Sequence, residues 1–125
     1  MNSDLDRILV ADDDTVMLGL LRTLLELEGH EVVSVIRQDE IITAVENDKP
    51  DMILMDFHLA GGNALNAIKL LKNNQKFQDV PVLVTSGMDR KHECMEAGAK
   101  GFILKPFRPS YLIDSIRSVL EGNQV

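Results

Sequence analysis

A single cysteine, Cys94, stands in a chain of 125 residues. One thiol cannot close an internal disulfide, which sets aside the small stapled scaffolds of secreted proteins and agrees with a reducing compartment. Cys94 falls in a stretch expected to be helical and reads as ordinary packing. No apolar run approaches the roughly 18 residues that a membrane helix needs, so no membrane span is expected. Met1-Asn2-Ser3-Asp4-Leu5-Asp6 has neither the basic start nor the apolar centre of a signal peptide, and a cytoplasmic location is expected. Positive charge is scarce too: 13 Lys and Arg against 20 Asp and Glu leave a net charge of -7. Binding to phosphate backbones needs clustered cations, so direct nucleic-acid binding is not expected, and any such output would belong to another chain or segment. Internal repeats, low-complexity tracts and linkers are also missing.

What is there alternates. At this length roughly two thirds of the unfolded surface can be buried on folding, enough for one core and one domain over residues 1–125. The apolar share of 45% is ordinary for a globular protein. Arg7-Ile8-Leu9-Val10-Ala11 reads as a first strand running into Asp12-Asp13-Asp14. A helix follows, with Asp14 as its cap, Met17, Leu20, Leu21, Leu24 and Leu27 as its apolar face, and Gly29 at its end. Glu31 to Ile36 reads as a second strand. Asp39 is placed to cap a helix through Ile41, Ile42 and Val45 that stops before Pro50. A third strand ends at Asp56, and a helix is expected over residues 63–73. Val80 to Ser86 reads as a fourth strand, followed by a short helix over residues 89–97 that closes at Gly98. Gly101-Phe102-Ile103-Leu104 reads as a fifth strand. The last helix carries Pro109 in its first turn and Leu112, Ile113, Ile116, Val119 and Leu120 on one face. Strands and helices in strict alternation, joined by short loops, predict an α/β fold: a parallel sheet with helices on both sides.

The chain is organised around Met52-Ile53-Leu54-Met55-Asp56. A continuous apolar run suits a strand buried on both faces, and it ends in one carboxylate. In an open α/β sheet ligands bind outside the carboxyl ends of the strands. Polar residues also end the other strands: Asp12 and Asp13 the first, Ser86 the fourth and Lys105 the fifth. Each alone has a structural role at hand, as a helix cap, turn hydroxyl or solvated end. Together they are chemically complementary. Carboxylates brought within about 4 Å repel by about 4 kcal/mol per pair at an effective dielectric near 20, and so favour a cation between them. Hard oxygens suit magnesium, which keeps several waters and bridges to phosphoryl groups. A carboxylate can itself accept a phosphoryl group, and a hydroxyl, an ammonium and a metal stabilise the charge that transfer spreads over its oxygens.

Ile8-Leu9-Val10-Ala11-Asp12-Asp13-Asp14, Met52-Ile53-Leu54-Met55-Asp56, Pro81-Val82-Leu83-Val84-Thr85-Ser86, and Ala97-Gly98-Ala99-Lys100-Gly101-Phe102 leading to Lys105-Pro106-Phe107 together resemble the receiver domain of two-component response regulators, in particular the single-domain chemotaxis regulator. The resemblance spans almost the whole chain. It implies a doubly wound, flavodoxin-like five-stranded parallel sheet of strand order 2-1-3-4-5. It also implies that Asp56 is the phosphoacceptor, that Asp12, Asp13 and Asp56 hold Mg2+ with the backbone carbonyl of His58, and that Lys105 pairs with the phosphoryl oxygens. Ser86 and Phe102 would be the switch pair. The same likeness implies a cis bond before Pro106. Spacing after Pro81 in the matching motif places the switch hydroxyl on Ser86, and the two-residue period of a strand leaves Thr85 pointing the other way.

By this resemblance the chain is no general enzyme but a signalling domain that catalyses only its own phosphorylation and slow dephosphorylation. Its donor would be a histidine kinase or a histidine phosphotransfer protein, and an output partner would meet the face formed by the fourth helix, fifth strand and fifth helix. A homodimer formed on phosphorylation is compatible with it. The sequence departs from the pattern at Ala60, where proline is common, at Ala64, where glycine is usual, and at Phe102, commonly tyrosine. A different turn after Asp56 is expected. Fewer residues separate Ser86 from Gly98 than in the chemotaxis regulator, so the fourth helix is expected to be short, shifted or loosely formed. His58, two residues after Asp56, borders the path of attacking water; it is either a solvent-exposed bystander or a residue that alters the lifetime of the acyl phosphate. Two rival readings are a metal-dependent phosphohydrolase, which commonly wants a carboxylic acid where His58 stands, and a flavin-binding module, whose phosphate loop the three aspartates would repel.

Overall fold

The computed structural model describes residues 5–125; residues 1–4, on which part of the leader argument rests, lie outside the described residues. Five strands form one sheet: β1 Arg7–Ala11, β2 Glu31–Val35, β3 Met52–Asp56, β4 Val82–Ser86 and β5 Gly101–Leu104. Every neighbouring pair is parallel, in the order β2-β1-β3-β4-β5. The helices are α1 Thr15–Leu27, α2 Ile41–Asp48, α3 Ala64–Lys72, α4 Lys91–Ala97 and α5 Pro109–Leu120. This is the parallel sheet that the alternation predicts, in the doubly wound order that the resemblance implies.

Side chains alternate across each strand, so the sheet feeds two apolar layers. Leu9, Ile53, Met55, Val84 and Phe102 pack on one side with Ile41, Val45, Ile68, Leu71 and Cys94 from α2, α3 and α4. Ile8, Val10, Leu54, Leu83 and Ile103 pack on the other with Leu21, Leu25, Leu112, Ile116 and Val119 from α1 and α5. Met52 to Met55 are essentially inaccessible, as a central strand covered on both faces requires.

Helix ends follow local chemistry. The Asp14 carboxylate accepts hydrogen bonds from the N–H groups of Val16 (3.0 Å) and Met17 (3.2 Å), capping α1 as expected. Gly29, at φ 90°, takes the left-handed turn that follows it. The expectation for Asp39 is corrected. A 3-10 turn, Gln38–Glu40, precedes α2; Glu40 Oε1 accepts from Arg37 N–H at 3.0 Å, and Asp39 pairs with the Arg37 guanidinium at 3.1 Å instead of capping. The face assigned to α1 is corrected as well. Leu21 and Leu25 are buried, whereas Leu20 is 62% and Leu27 77% exposed. Apolar residues cover an arc of this helix wider than its buried stripe, so periodicity alone does not select which of them point inward.

Two segments near the carboxyl edge carry local features of their own. After Asp56 the chain makes a tight antiparallel hairpin, pairing His58 with Asn63 and Leu59 with Gly62, with Gly61 at φ 84°. The hairpin docks on the segment before α2 through Gln38 N–H, which donates to Ala60 O at 2.9 Å. The fourth helix is short at seven residues, starting at Lys91 and closing at Gly98 in the left-handed conformation.

Candidate functional site

Parallel pairing brings the carboxyl ends of β1, β3, β4 and β5 to one edge, and Asp12, Asp56, Thr85, Ser86 and Lys105 arrive there together. Register sets their orientation. Asp56 is paired with Thr85, and Ser86 with Leu104. The Ser86 carbonyl accepts from Lys105 N–H at 2.8 Å, which ties the end of β5 to that of β4. The Lys105–Pro106 peptide bond is cis, as the resemblance implies.

Lys105 reaches back over this edge to place Nζ 2.8 Å from Asp56 Oδ1, with the Asp56 side chain only 13% exposed. Asp12 is buried, at 2% exposure, and its Oδ1 accepts from Asp14 N–H at 2.9 Å. Burial pushes the Asp12 carboxyl above the usual range; the Asp14 N–H acts against this, the charge of Asp56 adds to it and that of Lys105 opposes it. Asp12 and Asp56 are therefore electrostatic neighbours, with the ammonium of Lys105 as their common counter-charge. Asp13 is exposed on the surface. Among the described residues no three His, Cys, Asp or Glu side chains converge into a preformed cage. The donor chemistry still fits magnesium, which takes one or two carboxylates and keeps several of its waters.

Thr85 and Ser86 do leave opposite faces of β4, but the hydroxyl at Asp56 is that of Thr85, which donates to Oδ1 across 3.4 Å. Ser86 Oγ, equally buried, accepts from Met88 N–H at 3.1 Å and so shapes the turn into α4. Nothing in the sequence marks Thr85 as this donor, because two adjacent hydroxyls are told apart only by the β3–β4 register, which one strand's sequence does not contain.

Phe102 is buried at 7% exposure beside the α4 layer, paired in register with Val84. His58 is exposed, its ring edge-on to Phe57 at 5.2 Å between centroids. The Arg90 guanidinium lies 5.0 Å from the centroid of the Phe57 ring, a cation–π contact that joins the start of α4 to the residue following Asp56. An apolar cleft of about 590 Å³ opens next to Lys105, between Met17, Leu20, Leu21 and Leu24 of α1 and Pro106, Phe107 and Pro109.

Residues 8–117 match the family model of the response regulator receiver domain. The chain is 32% identical over 117 residues to the phosphate regulon transcriptional regulatory protein PhoB of Klebsiella pneumoniae, covering 91% of this chain and 51% of that protein. It is 32% identical over 126 residues to the DNA-binding response regulator MtrA of Mycobacterium tuberculosis, covering 98% of this chain and 54% of that protein. The chain thus spans about half the length of the curated relatives it matches. In three dimensions it superposes on a response regulator from Chloroflexus aurantiacus with a TM-score of 0.89 and 26% identity, covering 94% of this chain and 99% of that one. A CheY-like receiver domain protein from Methanospirillum hungatei gives 0.86 and 26%, covering 95% and 96%. The chain belongs to the response regulator receiver domain family: it is a receiver of two-component signal transduction. Receivers of this family are phosphoacceptor signalling domains that interact with histidine kinases and generally bind Mg2+. Among the described residues no helix is long and apolar enough to cross a membrane.

Proposed function

We propose that the chain acts as a single receiver domain in which Asp56 accepts a phosphoryl group from a histidine kinase or a histidine phosphotransfer protein. The observation that carries this is the Lys105 ammonium at 2.8 Å from an Asp56 carboxylate that also neighbours buried Asp12. A carboxylate oxygen of Asp56 attacks phosphorus, the bond from phosphorus to the donor's imidazole nitrogen breaks, and its electron pair stays with the imidazole. Lys105 holds Asp56 in place before transfer and stabilises the phosphoryl oxygens after it. Asp12 and Asp56, with Asp13 and the His58 carbonyl, would hold Mg2+, whose chemistry is to neutralise charge on the phosphoryl group.

Once formed, the acyl phosphate carries a dianionic group at the ends of β3, β4 and β5. Ser86 Oγ would leave the Met88 N–H for a phosphoryl oxygen, drawing the β4–α4 turn with it, and Phe102 would follow. The face of α4, β5 and α5 then changes, and an output partner, or a second copy of the chain, reads the change. Both states pre-exist, with phosphorylation shifting their populations. PhoB and MtrA are named as transcriptional and DNA-binding regulators; with a net charge of -7, this receiver would deliver such an output through another segment or partner. The test is labelling with acetyl phosphate, with and without Mg2+. The wild-type chain should gain one phosphoryl group only with the metal, and Asp56→Asn should gain none. Equal labelling of Asp56→Asn would overturn the assignment.

A further inference from the structure

β3 and β4 are adjacent parallel strands with Asp56 opposite Thr85, so both side chains leave the same face of the sheet. Thr85 is 4% exposed, and a hydroxyl buried to that degree needs a partner. Its partner is Asp56 Oδ1 at 3.4 Å, the same oxygen that Lys105 Nζ holds at 2.8 Å. The strand is anchored there by its backbone as well, since Phe57 N–H donates to Thr85 O at 2.8 Å. Thr85 therefore cannot drift from Asp56 without breaking the β3–β4 ladder. With two donors on Oδ1, Oδ2 is the freer oxygen to bond phosphorus, and Oδ1 would then be the carbonyl oxygen of the acyl phosphate.

We propose that the Thr85 hydroxyl is a donor to the reacting carboxylate that shortens the life of the phosphorylated state by stabilising Asp56 as the leaving group. The inference rests on the reading of Asp56 as phosphoacceptor. In hydrolysis, water attacks phosphorus, the bond between Oδ2 and phosphorus breaks, and its electron pair returns to the carboxylate; the products are Asp56 carboxylate and dihydrogen phosphate, which takes both protons of the water. Negative charge delocalises onto Oδ1 as that bond breaks, so a donor on Oδ1 is worth more in the transition state than in the acyl phosphate. The two directions are not affected alike. Phosphoryl transfer passes through a loose transition state, with the leaving-group bond largely broken and the nucleophile bond barely formed. Asp56 is the leaving group in hydrolysis and the nucleophile in phosphorylation, so Thr85 acts mainly on hydrolysis. A separation of 3.4 Å is long for a hydroxyl donor, which sets the effect at a few-fold and not at hundreds.

The experiment compares the wild-type chain, Thr85→Val, Thr85→Ser and Asp56→Asn. Each is labelled with acetyl phosphate and Mg2+, freed of donor by desalting, and followed by intact mass, which gives separate rates of phosphorylation and of loss. Valine keeps the shape of threonine without the hydroxyl, and serine keeps the hydroxyl. Thr85→Val should lengthen the acyl-phosphate half-life about three- to five-fold, the scale of one weak hydrogen bond to a charged group, and change the phosphorylation rate by a smaller factor. Thr85→Ser should return the half-life to within about two-fold of wild type. A half-life in Thr85→Val that is unchanged or shorter, or both rates moving by one common factor in the valine and serine variants alike, overturns the proposal and leaves Thr85 as packing. Absence of label on the wild type, or label on Asp56→Asn, would instead bring down the phosphoacceptor reading, and this inference with it.

Discussion

Lys105 Nζ and Asp56 Oδ1 stand 2.8 Å apart across the carboxyl edge of the sheet, joining the ends of two strands that are not neighbours. The contact aligns the carboxylate, and on the proposed reading it would supply the positive charge that an arriving phosphoryl group meets. Lys105→Met keeps most of the aliphatic stem and removes the ammonium. Labelling of Asp56 by acetyl phosphate should slow by about 10- to 100-fold, less than the loss of a donor in a fully enclosed site because Lys105 is 26% exposed. Initial rates by intact mass at saturating Mg2+ measure this, and an unaltered rate would show that Lys105 serves only the later switch.

Asp12 makes the second prediction, one of sign. Its carboxyl is raised in the fold, chiefly by burial, so the native state holds the proton more tightly than the unfolded chain does. Stability then falls as pH rises from the unfolded carboxylate range through the folded value, because the ionised group has to be kept out of water. Asp12→Asn keeps an acceptor for Asp14 N–H and removes the charge. Without metal the variant should be more stable than wild type at pH 7, by on the order of 1 kcal/mol, and the difference should vanish below about pH 4. If Asp12 helps hold Mg2+ as proposed, added Mg2+ should reverse the order, since the wild type would bind it more tightly and gain more stability from it. Thermal unfolding across pH, with and without Mg2+, reads both.

Much of this arrangement is legible in the residues themselves, and what is not has a physical reason. Met52 to Met55 read as a strand buried on both faces because all four residues are apolar and a charge stops the run. Asp14 and Gly29 mark the ends of α1 because capping and left-handed turns are local chemistry. Asp12, Asp56 and Lys105 stand out as polar strand ends, and a parallel sheet has to gather such ends on one edge. Asp39 misleads because Arg37, two residues away, captures its carboxylate, and the 3-10 turn places Glu40 at the chain's bend instead. The contact of Thr85 with Asp56 is not legible in the sequence, because parity within β4 says which hydroxyls differ in face and nothing about which face holds Asp56. That information lies in the pairing of Asp56 with Thr85, a contact between residues 29 positions apart.

The face of α1 gives a direct comparison of the two readings. A helix with Leu20 inward would be damaged by a polar residue there, whereas Leu20 is 62% exposed and Leu25 is fully buried. Leu20→Gln should leave stability within about 0.5 kcal/mol, since glutamine suits an exposed helix position. Leu25→Ala should cost about 2–5 kcal/mol through lost burial and the cavity left in the layer with Val32, Ile116 and Val119. Urea unfolding of the two variants distinguishes them by midpoint, and a large loss in Leu20→Gln would restore the stripe that periodicity suggests.

Cys94 completes the set, because its environment makes the sole thiol a reporter of the α4 layer. It is fully buried, and burial, aided by Glu93 and opposed by Arg90, pushes the thiol up to about 11. Only the thiolate attacks, so at pH 8 a rise from 9.0 to about 11 reduces the reactive fraction roughly 100-fold, before any effect of access. A disulfide reagent such as 5,5'-dithiobis(2-nitrobenzoic acid) should therefore modify native protein at least about 100 times more slowly than urea-unfolded protein at the same pH. The native rate should climb as pH rises from 8 toward 10, as the thiolate fraction grows. Phe102 packs in the same layer, so the movement of Phe102 that phosphorylation is proposed to drive should alter this rate while the label persists on Asp56. If Cys94 reacts identically in phosphorylated and unphosphorylated protein, the α4 layer does not take part in the switch and the change has to travel through α5 alone.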